Sequence, residues 1–155
     1  MKKDKVKVYL DTSVYNRPFD DQGQTRIRLE SEAFLSIVEK AILGTISIIG
    51  SSILAYENTQ NPFVHRKERV LSYLSVATRN IRLNNFIRKK ALLLEDIGID
   101  PLDALHIACA EFGGAEYFIT CDDDVIKKAK KHREIVIIEV CNPLEFVLKE
   151  VFKDA

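Results

Sequence analysis

The chain has little cysteine, no excess of charge of either sign and no long hydrophobic run. Its three cysteines are widely spaced and form neither a CxxC pair nor a zinc-binding pattern. This indicates free thiols in a reducing compartment rather than a disulfide framework. Lys plus Arg and Asp plus Glu both number 23. The net charge therefore does not indicate a nucleic-acid or membrane partner. Any evidence for such a partner must lie in how the charges are distributed along the chain.

No segment of the sequence is predicted to cross a membrane. The most apolar stretch, residues 41–56, is interrupted by glycine, serine and threonine and is too short for a span. The basic N-terminus leads directly into an aspartate-containing strand and does not read as a signal peptide, so we expect a cytoplasmic protein. There is no repeat, low-complexity segment or linker. The 155 residues, 46% of them hydrophobic, predict one globular domain spanning residues 1–155.

Short apolar segments alternate with segments of helical periodicity. Ser51 and Ser52 are placed to cap a short helix, Gly98 to end a helix, and Asp100 and Pro101 to begin the next. Strands are predicted at 6–10, 46–49, 81–83, 117–120 and 135–138, and the longer helices at 25–43, 62–77, 84–96, 101–112, 123–131 and 143–152. This alternation predicts an α/β sandwich in which helices cover both faces of a parallel sheet.

Acidic residues follow two of the predicted strands directly. Asp11 ends the first strand, and Asp122, Asp123 and Asp124 follow the strand at 117–120. In open parallel sheets, functional groups gather beyond the carboxyl ends of the strands, near the point where the strand order reverses. We therefore expect these acids to face one crevice.

Each of these acids also has a purely structural interpretation. Asp11 fits a turn residue that bonds its own backbone, or a metal ligand supported by the hydroxyls of Thr12 and Ser13. One member of the 122–124 triplet is expected to cap the following helix. Three adjacent carboxylates exceed what capping requires, however, and a divalent cation would offset their repulsion.

Two further acids lie on predicted helices. Glu57 is four residues after Ile53 and so shares a face with an apolar residue, although a solvated glutamate at a helix edge is the commoner explanation of such a residue. Asp103 is the third residue of its helix, where a carboxylate interacts well with the helix dipole whether or not it serves a site. His106 follows three residues later and could bond Asp103, contact a phosphate or be a partly buried imidazole.

Four segments together resemble the PIN-domain family. They are YLDTS at 9–13, the isolated Glu57, PLDALHIA at 101–108 and FITCDDD at 118–124, and the resemblance extends over about residues 5 to 148. It implies a three-layer α/β/α sandwich with a central parallel sheet of about five strands. It also implies a Mg²⁺- or Mn²⁺-dependent ribonuclease, since most members are such enzymes. Many bacterial and archaeal members are the toxin of a toxin–antitoxin pair.

The same resemblance implies a role for individual residues and partners. The implied catalytic acids and metal ligands are Asp11, Glu57, Asp103 and Asp122, with Asp124 as an auxiliary ligand. Apart from the resemblance, we predict that Thr12, Ser13, Thr120 and His106 support these acids. RNA is the implied substrate, an antitoxin the implied protein partner and a homodimer the implied assembly. The chain departs from the commonest toxin pattern in the loop at 15–21 and at His106, where many toxins carry a small or apolar residue.

RNA can approach an acidic crevice only if basic groups flank it. Arg17 lies beside the first acid, and Lys127 and Lys128 follow the acidic triplet; we predict that these three contact RNA, although a solvated helix face also accounts for such a run. The alternative function is a PIN-like module that binds RNA or protein without cutting. A phosphotransfer enzyme of the haloacid-dehalogenase type would need a second aspartate where Ser13 stands, and the order of the acids does not fit a receiver domain.

Overall fold

One parallel sheet of five strands forms the centre of the protein in the computed structural model, which describes residues 5–151. The strands are β1 (Val6–Leu10), β2 (Ile46–Ser51), β3 (Arg79–Ile81), β4 (Tyr117–Ile119) and β5 (Glu139–Cys141). Their order across the sheet is β3-β2-β1-β4-β5. Every neighbouring pair is parallel. The sheet therefore matches the predicted fold class.

Eight α-helices of the described residues connect and cover the strands. They are α1 (Thr12–Asn16), α2 (Thr25–Ile42), α3 (Ser52–Thr59), α4 (Val64–Leu74), α5 (Asn85–Asp96), α6 (Pro101–Phe112), α7 (Asp123–Lys131) and α8 (Pro143–Phe146). A 3₁₀ turn at Arg17–Phe19 follows α1, and a wider π-type turn at Val147–Val151 continues α8. Within residues 5–151, no helix has the length and apolar character that a membrane span needs.

The direction in which strands are added to the sheet reverses at β1. From β1 the chain passes through α2 to β2 on one side, and it later returns through α5 and α6 to β4 on the other side. Because parallel crossovers are right-handed, connections that run in opposite directions place their helices on opposite faces of the sheet. The carboxyl ends of β1 and β4 therefore form the switch point at which α/β proteins bind their ligands.

The central strand is buried on both faces. Val8, Tyr9 and Leu10 have no exposed surface, and β1 pairs with β2 on one edge and β4 on the other. The Tyr9 ring stacks on Phe118 of β4 at 5.6 Å between centroids. The part of β1 that is covered in this way, residues 8–10, is entirely apolar apart from the Tyr9 hydroxyl, whereas Lys7 near the start of the strand is exposed.

The predictions for the helices with strong signals are confirmed to within one residue. These helices are α2, α5, α6 and α7. The side chain of Ser51 caps α3 by accepting a hydrogen bond from the Leu54 amide. Gly98 ends α5 with a φ of +95°, which only glycine adopts without a steric penalty. Asp100 precedes α6 as predicted, but its side chain makes no capping hydrogen bond.

The predicted strand at 135–138 is wrong, since β5 occupies Glu139–Cys141 instead. The apolar residues of the predicted segment do pack inward, with Val136 and Ile138 buried. Their backbone makes other hydrogen bonds, however. The Val136 amide donates to the His132 carbonyl, and the Ile138 amide donates to the Glu111 carboxylate. The apolar residues of this segment are buried as they would be in a strand, but their backbone forms no strand pairing.

Three other boundaries differ from prediction. Strand β3 occupies 79–81 rather than 81–83, because Ile81 pairs with Ser51 and the preceding polar residues complete the ladder. Helix α4 occupies 64–74 rather than 62–77, since the Asn61 side chain accepts the Phe63 amide and holds a turn before the helix. The helix predicted at 143–152 becomes a π-type turn after residue 146, and position 152 lies outside the described residues.

Candidate active site

Asp11 lies at the switch point, directly after β1. Its amide donates to the Ile119 carbonyl at 2.9 Å, which extends the pairing of β1 with β4 by one step. Its side chain is buried, with 5% of the residue exposed. One carboxylate oxygen, Oδ2, accepts hydrogen bonds from the hydroxyls of Thr120 at 2.7 Å and Ser13 at 3.1 Å. Both hydroxyls therefore orient the Asp11 carboxylate.

The same two hydroxyls connect Asp11 to the acidic triplet. The Ser13 hydroxyl accepts the amide of Cys121 at 3.2 Å, and the Thr120 hydroxyl accepts the amide of Asp122 at 3.1 Å. Because each hydroxyl donates to Asp11 and accepts from the backbone beyond β4, the two strand ends are held together. These bonds fix the position of the Asp122 backbone relative to Asp11.

The three acids of the triplet have different partners. Asp122 is the N-cap of α7, and its Oδ1 accepts the amides of Asp124 at 2.9 Å and Val125 at 3.3 Å. Asp123 forms a two-pronged ion pair with Arg26, with both contacts at 2.7 Å. Asp124 pairs with Lys128 at 2.9 Å. A metal ion bound by Asp124 as an auxiliary ligand would therefore compete with Lys128 for the same carboxylate.

Asp103 lies in the first turn of α6. This helix leads into β4 and so begins near the carboxyl ends of the strands. Burial raises the pKa of the half-buried Asp103 carboxyl to about 6, and the charges of Asp11 and Asp122 add to this rise, although His106 opposes it. These interactions mean that the three acids lie close enough to repel one another.

Glu57 projects from α3 and is bound by two other elements. The Thr12 hydroxyl donates to its Oε1 at 2.8 Å, and His106 Nε2 contacts the same oxygen. Burial would raise the pKa of Glu57, but the hydrogen bond and charge of His106, together with the Thr12 hydrogen bond, lower it overall. Glu57 is therefore held as a carboxylate beside the first acid.

His106 is buried, with 1% of the residue exposed, which agrees with the buried imidazole among the three roles left open by the sequence. Leu102 and Phe112 of the same helix are both more than 40% exposed. His106 Nδ1 lies 2.6 Å from the Tyr9 hydroxyl, which lies 2.6 Å from the Ser51 hydroxyl. Sequence reasoning missed Tyr9 as a site residue. The available signal was its position two residues before Asp11, on the same side of β1.

The predicted RNA-contacting residues differ in their freedom to bind. Arg17 is held by the fully buried Glu30, with its Nε at 2.8 Å, and also pairs with Asp20. Lys128 donates to the Gly98 carbonyl at 2.6 Å in addition to pairing with Asp124. Lys127 is exposed on α7. The structure therefore places Arg17 in the framework of the fold, and Lys127 on the open surface.

A small cleft adjoins Glu57, and Thr12, Tyr15, Glu57, Asn58 and Leu54 are among its lining residues. The Tyr15 hydroxyl and the Asn58 Oδ1 are buried without a hydrogen-bond partner in the part of the chain that is described. Unsatisfied buried polar groups are uncommon in proteins.

The donor set fits Mg²⁺ or Mn²⁺ by its chemistry. These ions prefer oxygen ligands, and the acids around the switch point supply carboxylates whose mutual repulsion a cation would relieve. Cys121 is buried and, as a soft sulfur donor, is not expected to be a ligand. Within residues 5–151, however, no three acidic, histidine or cysteine side chains already stand in a coordinating arrangement. A metal would therefore have to draw the carboxylates together.

Comparisons with known proteins agree on the fold. Two solved structures superimpose on most of the chain: VapBC2 from Rickettsia felis bound to a DNA fragment from their promoter, and FitAcB from Neisseria gonorrhoeae. The first has a TM-score of 0.59 and 17% identity, and covers 88% of this chain and 98% of its own. The second has a TM-score of 0.57 and 18% identity, with 88% and 97% coverage. No curated protein matches the chain significantly in sequence. The PIN-domain family model matches residues 8–131, a range that holds all the acids described above, and the chain therefore belongs to the PIN-domain family.

Proposed function

We propose that the protein is a metal-dependent endoribonuclease that hydrolyses RNA phosphodiester bonds at the carboxyl ends of β1 and β4. The observation that carries the proposal is the arrangement at the strand ends, where the hydroxyls of Thr120 and Ser13 donate to the Asp11 carboxylate and accept the backbone amides of Asp122 and Cys121. Membership of a family made up mostly of nucleases supports the same chemistry. A purely structural role would give no reason to gather like charges at one point.

Mg²⁺ or Mn²⁺ is the proposed cofactor, held by Asp11, Asp103 and Asp122. Glu57 would bind its water ligands or share a second ion. When bound, such an ion lowers the pKa of water and offsets the charge of the phosphate. Asp124 is at most an auxiliary ligand in this proposal, because its carboxylate already pairs with Lys128.

The hydroxyl groups of the site would orient the acids. Thr120 and Ser13 both donate to Oδ2 of Asp11. These two hydrogen bonds would restrict rotation of the carboxylate and leave its other oxygen, Oδ1, to bind the ion. Thr12 and His106 restrain Glu57 in the same way. Such outer contacts make a site rigid before its ligand arrives, which strengthens binding.

RNA would approach along α7. Lys127 is exposed one turn after the start of this helix and is suited to a phosphate contact. The cleft beside Glu57 would receive a polar group of the nucleotide next to the cleaved bond. Arg17 is less suited to contact RNA than we predicted, since Glu30 and Asp20 already neutralise it.

An antitoxin partner forms a further part of the proposal. The two similar structures are VapBC2 and FitAcB, names that each join two components, and the Rickettsia felis structure includes promoter DNA. Helices α3 and α4 offer apolar surface to a protein partner, with Tyr56, Phe63, Val64 and Leu71 all about 60% exposed. A homodimer is proposed on the family resemblance alone.

The test is cleavage of a mixed RNA pool by the purified protein, with Mn²⁺ or with EDTA. Asp11→Asn is the informative variant, and Asp96→Asn is the matched control, because Asp96 is an exposed acid at the end of α5. We expect cleavage that requires Mn²⁺, is lost in Asp11→Asn and persists in Asp96→Asn. Mn²⁺ should also raise the melting temperature of the wild type and not of Asp11→Asn.

Other outcomes have distinct meanings. Equal cleavage by the wild type and by Asp11→Asn would identify a contaminating nuclease. Mn²⁺ binding without cleavage would support the metal site and indicate that the RNA was unsuitable or a partner missing. Neither binding nor cleavage would favour the alternative, a PIN module that binds RNA or protein without cutting, and would agree with the absence of a preformed cluster of ligands among residues 5–151.

A further inference from the structure

A chain of buried hydrogen bonds ends on Glu57. The Ser51 hydroxyl lies 2.6 Å from the Tyr9 hydroxyl, which lies 2.6 Å from His106 Nδ1. The opposite ring nitrogen, His106 Nε2, contacts Glu57 Oε1. Ser51, Tyr9 and His106 are 3%, 0% and 1% exposed. The four side chains come from β2, β1, α6 and α3, so the chain joins elements that meet only in the tertiary structure.

We infer that His106, held by Tyr9, is a positioning residue that fixes Glu57 through Oε1 and leaves Oε2 to the reaction site. In the described part of the chain, both hydrogen bonds that Glu57 accepts end on Oε1. The metal-related part of this inference rests on the proposed function, whereas the part that concerns the orientation of Glu57 rests on these contacts alone.

Both ring nitrogens of His106 are engaged, which determines its orientation. A rotated ring would break the contact with Tyr9 and the contact with Glu57 together, so each bond stabilises the other. A hydrogen bond on one nitrogen also sets the role of the other nitrogen. Tyr9 itself cannot move easily, because its ring stacks on Phe118 in the centre of the sheet.

The chain also fixes the helix that carries Glu57. The Ser51 hydroxyl accepts the Leu54 amide at 3.3 Å and so caps α3. The bonds therefore leave α3 at its first turn, pass through β1 and α6, and return to α3 at Glu57. This closed path restrains rotation of α3 about its axis. Thr12, which also binds Oε1, directly follows Asp11, so the path ends beside the first acid.

Packing alone does not account for a histidine at position 106. Its neighbours Ala104, Ile107 and Ala108 are buried and apolar, and an aliphatic side chain would meet that environment without desolvating polar nitrogens. Histidine is useful there because its two ring nitrogens reach two polar partners, Tyr9 on β1 and Glu57 on α3. Outer contacts of this kind typically change metal affinity by roughly 10- to 100-fold when they are removed.

The test compares four variants of the metal-free full chain. His106→Leu removes both contacts, His106→Gln keeps a polar donor, and Tyr9→Phe removes only the hydroxyl. Ile107→Val is the matched control, since it trims a fully buried residue of the same helix without touching the hydrogen bonds. Crystal structures report the rotamer of Glu57, and calorimetry reports the affinity for Mn²⁺.

We expect Glu57 to leave its position in His106→Leu, with Mn²⁺ affinity reduced roughly 10- to 100-fold, and to recover partly in His106→Gln. Ile107→Val should lose stability but retain both the rotamer and the affinity. Tyr9→Phe should weaken Mn²⁺ binding in the wild type and have no further effect in the His106→Leu background, because Tyr9 acts through His106.

The inference is overturned if Glu57 keeps its rotamer in His106→Leu, or if the effects of Tyr9→Phe and His106→Leu add. It is also overturned if Tyr9→Phe, which keeps the ring packing and should fold, leaves Glu57 and the Mn²⁺ affinity unchanged. A wild type that binds no Mn²⁺ would reject the proposed function instead, and the rotamer of Glu57 would still decide the positioning role.

Discussion

At the scale of single residues, the environment of Asp103 opposes its negative charge. Burial raises its pKa from 3.8 to about 6, and Asp11 and Asp122 contribute to the rise. Between about pH 4 and pH 6 the folded protein therefore binds more protons than the unfolded chain. The free energy of unfolding of the metal-free protein should fall as the pH rises through this window.

Asp103→Asn should remove this loss. Its free energy of unfolding relative to the wild type is expected to increase from pH 4 to pH 6 and then to level off, by at most about 3 kcal/mol, and by less than this because the group is partly solvated. Urea denaturation in EDTA at four pH values measures it, with Asp96→Asn as the control. Parallel pH profiles for Asp103→Asn and the wild type would contradict the prediction.

At the scale of elements, the start of α7 combines a helix cap with a proposed metal ligand. Asp122 Oδ1 accepts two amides of the first turn. Serine caps a helix about as well as aspartate but lacks the charge. The two roles can therefore be separated by substitution.

Asp122→Ser should unfold at nearly the wild-type temperature without metal, but lose the stabilisation by Mn²⁺. Asp122→Ala should lose that response and also about 1 kcal/mol of stability, because the cap is removed. Melting curves with and without Mn²⁺ distinguish the two variants. If Asp122→Ser retained the full response to Mn²⁺, Asp122 would not be a ligand.

Helix α2 contains a fully buried carboxylate that joins several elements. Glu30 is 0% exposed and binds Arg17 at 2.7 Å, Arg26 at 3.3 Å and the Asn142 side chain. These partners lie in the turn after α1, in α2 itself and before α8. A buried charge with this many partners organises the elements around it, although its net contribution to stability over an apolar residue can be small.

Glu30→Gln should reduce the free energy of unfolding by about 3 kcal/mol, because the arginines would lose their common counter-charge. Glu32→Gln provides the control, since Glu32 is exposed on the same helix and should change stability by less than about 0.5 kcal/mol. Urea denaturation measures both. Similar values for the two variants would show that the Glu30 network contributes little.

At the scale of the whole molecule, a formal net charge of zero leaves RNA binding to local basic groups. Lys127 is exposed near the acids. Lys40 lies near the end of α2, just before β2 begins, and so at the opposite edge of the sheet. The two lysines therefore differ in position rather than in charge.

Lys127→Ala should weaken the binding of single-stranded RNA and reduce the salt dependence of log K by roughly 0.7, the value for one lost phosphate contact. Lys40→Ala should change neither quantity. Fluorescence anisotropy in the Asp11→Asn background, in which RNA would remain uncut, measures both at several salt concentrations. Equal effects of the two substitutions would indicate nonspecific attraction.

Local sequence was sufficient for the elements whose signals are local. The apolar run of β1, the periodicity of α2, the cap at Ser51 and the glycine at position 98 each act within a few residues, and each was predicted. The acids after β1 and β4 were predicted to face one crevice for the same reason, because parallel strands bring their carboxyl ends to one edge. In the structure, the hydroxyls of Ser13 and Thr120 join the Asp11 carboxylate to the backbone at Cys121 and Asp122.

Features that depend on distant partners were not predictable in this way. The residues at 135–138 are apolar enough for a strand, but the side chain of Glu111 from α6 takes the Ile137 and Ile138 amides. The sequence left three roles open for His106, and the structure places it between Tyr9 and Glu57, 97 and 49 residues away. Sequence periodicity shows the spacing at which apolar residues recur along the chain. It carries no information about which polar groups from distant elements will come into contact. Such contacts position Glu57 and hold Glu30 in this protein.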